Sequence, residues 1–121
     1  MSSEDAVKAI ASLRLPIGLG AWLTPVLAGK MFGLNPAENP QSPYLARLFG
    51  VRDVALAAGV LSSTGEARKT WLRIGVACDA ADALAGLLGG RKGYLSPFTT
   101  VLVTAPALGG LALGAKALQG D

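Results

Sequence analysis

The chain has 121 residues, room for one domain, and 51% of them are hydrophobic against 16% charged, well below the ~25% charged of an ordinary soluble domain. It has no histidine and one cysteine, Cys78, which removes histidine-ligated haem and zinc, Ser-His and Cys-His nucleophile pairs, and any internal disulfide. The net charge is +3 with a pI near 9.4, but the basic residues flank apolar runs and do not gather on one face, so no nucleic-acid partner is expected.

Met1 to Ala11 opens with Glu4 and Asp5 and shows no signal-peptide pattern. Ser2 or Ser3 is a candidate N-cap ahead of that acidic pair. Four apolar segments follow, at about 13–29, 44–61, 70–88 and 97–118. The first holds Pro16 and Pro25, which membrane helices accept more readily than soluble ones. Pro36, Pro40 and Pro43, with Asn35 and Asn39, break the chain before the second. The second ends at Ser62-Ser63-Thr64-Gly65, and the third at Gly89-Gly90, ahead of the basic turn Arg91-Lys92-Gly93.

The fourth is the one free-standing transmembrane signal. Pro97 to Ala115 is a charge-free run of about 19 residues, close to the ~20 that cross a bilayer core. The other three need a bundle to shelter their charges. The expected fold is therefore all-α: one domain over residues 1–121, a four-transmembrane-helix antiparallel bundle with both termini on the same side. A soluble four-helix bundle is the competing reading, and it requires the fourth helix to be buried all round.

Lys and Arg placement sets the expected topology. Lys8, Arg14, Arg68, Lys69, Arg73 and Lys116 fall on the side of the termini; Lys30, Arg91 and Lys92 fall opposite, with Arg47 near that interface. The bias predicts a multi-pass plasma-membrane protein with cytoplasmic termini. Trp22, Tyr44, Trp71 and Tyr94 supply interface anchors. Gly29 and Gly33, Gly86 and Gly90, and Gly110 and Gly114 recur four apart, a spacing that lets helices approach closely; internal packing is expected ahead of dimerisation.

Arg52, Asp53, Asp79 and Asp82 stand inside these apolar segments. An ionisable residue at membrane depth costs at least roughly 2.5–3.5 kcal/mol on insertion scales, so it has a partner or a task. If the second and third helices form a hairpin turning near Gly65 and Glu66, Arg52 and Asp79 are equidistant from the turn and should pair. Asp82 then falls within reach of Arg47. Asp79 and Asp82, three apart, share a helix face, while Asp53 projects a quarter turn from Arg52 toward another helix, a cavity or a neighbouring subunit. Arg52 alone cannot neutralise three carboxylates. Either Arg14, Arg47 or Arg73 reaches inward, or one carboxyl stays protonated, since burial and neighbouring carboxylates both disfavour the charged form. No phosphate loop, metal-ligand spacing or nucleophile motif is present, and neither a metal nor a cofactor is expected.

Arg47-Leu48-Phe49-Gly50-Val51-Arg52-Asp53, Trp71-Leu72-Arg73-Ile74-Gly75 and Cys78-Asp79-Ala80-Ala81-Asp82-Ala83 resemble motifs of the small bacterial four-helix membrane proteins grouped as the domain of unknown function DUF4267, common in actinobacteria. The resemblance runs from about Leu13 to Leu118 and rests on Arg47, Gly50, Arg52, Asp53, Asp79 and Asp82. It implies a four-helix membrane fold and little about activity. A looser similarity to DoxX-like membrane proteins bears on architecture only.

Three functions compete. The first is a non-enzymatic membrane protein: an accessory subunit of a larger membrane partner, a homodimer, or a binder of a lipophilic small molecule held near Arg47, Arg52, Asp53 and Asp82. The second is a membrane enzyme acting on a lipophilic substrate by isomerisation, cyclisation or epoxide opening, with Asp82 or Asp53 as base, Asp79 as acid or orienter, and Arg52 as electrostatic stabiliser. The third is a small proton-coupled carrier.

Overall fold

Ser2 starts the first helix through a capping box. Its hydroxyl accepts the Asp5 N–H at 3.0 Å, and the Asp5 carboxylate accepts the Ser2 N–H at 3.4 Å. In the computed structural model, which describes residues 1–120, helix α1 spans Ser3–Leu23. It thus begins about ten residues before the apolar segment does. The early turns are amphipathic: Glu4, Asp5 and Lys8 face out while Ala6, Val7, Ile10 and Ala11 are buried, a pattern that counting apolar residues overlooks.

The expected first helix does not continue through Pro25. Thr24 leaves helical geometry and Pro25 becomes the first residue of a separate short helix, α2, Pro25–Met31, where its missing N–H costs nothing. Helix α3 spans Ser42–Leu61, α4 Gly65–Lys92 and α5 Pro97–Gln119. The Gly89-Gly90 pair does not stop α4. A helical glycine costs only about 1 kcal/mol; the stop is Gly93, at φ +86°, whose N–H bonds back to the Gly89 and Gly90 carbonyls. The described residues are all-helical.

Close approaches set the register. Gly18 meets Gly50 between α1 and α3, and a Cβ on either would fall within 2.8 Å of the other's carbonyl oxygen. Between α4 and α5, Gly110 lies against Asp79, Gly114 against Val76 and Gly90 against Thr100, an antiparallel run. The glycines four apart on α4 and α5 therefore serve internal packing. The Ser3 hydroxyl donates to the Ala117 carbonyl at 2.6 Å, so α1 begins where α5 ends. α3 packs chiefly on α1 and α4 on α5; α3 and α4, though consecutive, meet more sparsely, and α1 and α4 face each other across the diagonal.

The core lies at the end holding the termini: Ala6, Val7, Val60, Leu72 and Ala117, with Trp71 and Leu118 packed against them. Trp71 lies over Gly59, so it joins this core and does not stand out as a surface anchor. Two helices, α1 and α5, are long and apolar enough to cross a membrane, whereas composition alone had singled out the fourth segment.

Candidate functional site

Halfway along the bundle the interior becomes charged. Arg14, 6% exposed, projects from α1 across the diagonal to α4. Its Nη1 and Nη2 donate to Asp79 Oδ1 and Oδ2 at 3.2 and 2.6 Å, and Nη2 also reaches the Gly75 carbonyl at 3.5 Å. Paired donors matched to a carboxylate are the geometry in which a buried guanidinium is most stable. Two glycines make room. A Cβ on Gly110 would lie 2.5 Å from Asp79 Oδ2, and one on Gly75 would lie 3.0 Å from Arg14 Nη2.

Asp53 enters this layer from α3. It is 4% exposed, and its Oδ1 is 3.5 Å from Arg14 Nη1. That is close enough for charge attraction, but Oδ1 accepts no hydrogen bond. A buried carboxylate oxygen in that state is costly unless something else donates to it.

A second pair closes the sparse α3–α4 seam. Arg52 Nη1 and Nη2 donate to Asp82 Oδ1 and Oδ2 at 3.2 and 2.5 Å, with the Arg52 and Asp82 side chains 36% and 29% exposed. The guanidinium also sits 5.0 Å above the Phe49 ring.

The expected Arg52–Asp79 pair does not form. Equal distance from the turn would bring those residues together only if α3 and α4 packed face to face. They splay instead, so Arg52 meets Asp82 one turn further on, and Asp79 turns inward to Arg14. Arg47 does not reach Asp82 either. It is exposed, donates from Nε to the Trp22 carbonyl at 3.1 Å and lies 6.0 Å from the Trp22 ring. Of the three arginines that the charge count allows to reach inward, Arg14, Arg47 and Arg73, it is Arg14 that stands at the centre, although the topology assignment groups it with the flanking charges; Arg47 and Arg73 are exposed.

Beyond the charged layer, on the α2 side, the interior is hollow. A cavity of about 420 Å³ has Arg14, Asp53, Asp79 and Asp82 at its floor. Its walls come from spaced positions on each helix: Leu13, Ile17 and Ala21 of α1, Leu45, Ala46 and Phe49 of α3, Ala85 and Gly86 of α4, and Val103, Pro106 and Ala107 of α5. Phe32, Leu34 and Asn39, from the segment after α1, line it at the far end. The space exists because Ala and Gly face one another where larger side chains would meet. Of the sequence-predicted site residues, Asp53, Asp79 and Asp82 line the cavity; Arg47 and Arg52 do not.

A mostly apolar chamber of this volume with a few convergent polar groups has the size and character of small-molecule sites. Among the described residues, no three His, Cys, Asp or Glu side chains converge as metal ligands. The floor can hold a charged or hydrogen-bonding headgroup and the walls an apolar body. No family model, curated protein or solved structure matches the chain, so the likeness to DUF4267 rests on its motif residues alone.

Proposed function

We propose that the protein is a four-helix membrane bundle that holds a lipophilic small molecule in the cavity above its Arg14–Asp79–Asp53 layer. The cavity carries this reading: it is mostly apolar along its walls and is floored by residues of the charged layer, among them Asp53, whose buried Oδ1 lacks a donor.

The outer surface supports a membrane setting. On α4 the only charges between Arg73 and Arg91 are the buried Asp79 and the partly buried, paired Asp82, over about 27 Å at 1.5 Å per residue, against a hydrocarbon core of ~30 Å. Ile74, Leu84, Leu87 and Leu88 are exposed there. On α3 the corresponding outer positions are Leu48 and Val51. Only 28% of the apolar window of α5 is buried, unlike the core helix of a soluble bundle. Of the charges in the middle of α3 and α4, Asp53 and Asp79 are buried against Arg14, and Arg52 is paired with Asp82. The motif resemblance to DUF4267 points the same way, and the Lys and Arg bias favours a plasma-membrane protein with cytoplasmic termini.

The test is native mass spectrometry of the protein released from nanodiscs, beside the Ala46→Trp variant, in which an indole occupies the chamber. A bound lipophile retained by the parent and absent from the variant supports the reading. Identical lipid occupancy in both would sink it. A second reading, acid–base catalysis on the bound molecule, is favoured by one observation: Asp53 Oδ1 accepts no hydrogen bond while Arg14 directs its own to Asp79. It requires that Asp53→Asn keep ligand binding and abolish turnover.

A further inference from the structure

The charged layer is unbalanced. Two guanidiniums face three carboxylates. Arg14 directs both Nη atoms to Asp79, and Arg52 directs both to Asp82. Asp53 is left with the Arg14 Nη1 at 3.5 Å and no hydrogen bond to Oδ1. Arg52 adds only a longer-range attraction, without an ion pair or hydrogen bond to Asp53. Arg47 is turned outward onto Trp22, and Lys30 is exposed on α2. The Nε of Arg52 is a buried donor without a partner, but Arg52 does not line the cavity. Asp53 does line it. The layer thus has, at a residue that lines the chamber, one buried acceptor without a donor, and it has one carboxylate more than it has guanidiniums, beneath walls whose few polar side chains, Asn39, Ser42 and Tyr94, carry no charge.

From this we propose that the cavity takes a lipophilic amine: an apolar body with a single protonated nitrogen that donates to Asp53. The proposal rests on reading the cavity as a binding site, and adds the chemistry of its occupant. An ammonium N–H supplies both the missing donor and the missing charge, and a charge-assisted bond is roughly twice as strong as a neutral one. An alcohol supplies the donor without the charge. A carboxylate supplies neither and is repelled by the surplus carboxylate. Away from the floor the polar lining residues, Asn39, Ser42 and Tyr94, are uncharged, so no second ionic partner awaits the rest of the ligand.

Three ligands of one shape separate these cases: 2-naphthylmethylamine, 2-naphthylmethanol and 2-naphthoate, titrated into nanodisc-embedded protein at neutral pH, with uptake by empty nanodiscs subtracted. The expected result is about tenfold or more tighter binding of the amine than of the alcohol, and the weakest binding for the carboxylate. Asp53→Asn should bring the amine to the level of the alcohol and leave the alcohol within about twofold. The amine-to-alcohol ratio in the parent protein decides the proposal even if that variant does not fold. Equal or tighter binding of the alcohol, blocked by Ala46→Trp, overturns the amine and leaves the cavity reading standing. An amine preference that survives in a folded Asp53→Asn variant overturns the assignment to Asp53. No saturable binding of any of the three overturns the cavity reading and the amine together.

Discussion

Arg14 of α1 and Asp79 of α4 are joined across the diagonal of the bundle by two hydrogen bonds of 3.2 and 2.6 Å. The backbones of these two helices do not approach closely; besides this pair, side chains link them through Arg14 to the Gly75 carbonyl and through Arg68 to Glu4 near the termini. One long side chain thus spans the interior and divides a packed half, built on Val7, Val60 and Leu72, from a hollow half.

Removing Arg14 strands two buried carboxylates. Arg14→Met should cost about 3–5 kcal/mol, the usual penalty for breaking a buried pair from one side. Asp79→Asn should cost less, because Arg14 keeps Asp53 within 3.5 Å. Thermal unfolding of both variants in the same detergent, followed by circular dichroism, checks the order; equal losses would contradict it.

Arg52 and Asp82 should behave differently, although their hydrogen-bond geometry is similar. At 36% and 29% side-chain exposure, their coupling in a double-mutant cycle should be about 1 kcal/mol or less. Because the pair bridges the sparse α3–α4 seam beside the cavity, Arg52→Gln should also speed ligand exchange more than it weakens equilibrium binding. Stopped-flow dissociation of a bound fluorescent ligand reads that difference.

Adjacent glycines on α5 give an internal control. Gly110→Ala puts a methyl group 2.5 Å from Asp79 Oδ2 and should destabilise by about 1–3 kcal/mol, as overpacking does. Gly109 has nothing within 4 Å of an added Cβ, so Gly109→Ala should be neutral or stabilising by up to ~1 kcal/mol. Melting temperatures of the two variants decide it.

Leu84 distinguishes lipid from water outside the bundle. It is 58% exposed on α4, between Arg73 and Arg91. Facing lipid, Leu84→Arg should lose about 2.5–3.5 kcal/mol of insertion free energy and deplete the membrane fraction. Facing water, it should change stability by less than about 0.5 kcal/mol. Membrane fractionation with quantitative blotting separates the two.

The ends of the bundle predict a fusion pattern. Green fluorescent protein attached after Gly120 should fluoresce. Alkaline phosphatase inserted in the Gly93–Ser96 turn should be active, because Arg68, Lys69, Arg73 and Lys116 outnumber Arg91 and Lys92. The reverse pattern would invert the topology.

Local sequence determined the elements and the existence of a charged interior. Helical segments separated by Pro- and Gly-containing breaks could be read along the chain, because apolar periodicity and turn chemistry act over a few residues. Asp53, Asp79 and Asp82 could be singled out because a carboxylate in an apolar helix needs compensation wherever it ends up. The helix ends were less legible. Ser3 to Ser12 is helical through capping and one buried face, and α4 stops at Gly93 because of a single left-handed residue.

Only the tertiary structure decided the partners. Whether Asp79 meets Arg52 or Arg14 depends on the splay of α3 from α4 and on reach across the diagonal. Neither is encoded in spacing along one helix, because helical periodicity places a side chain on a face but does not say what stands opposite. The cavity has the same origin. Ala46, Ala85, Gly86 and Ala107 are unremarkable small residues one by one; they leave a chamber because three helices bring them together around it.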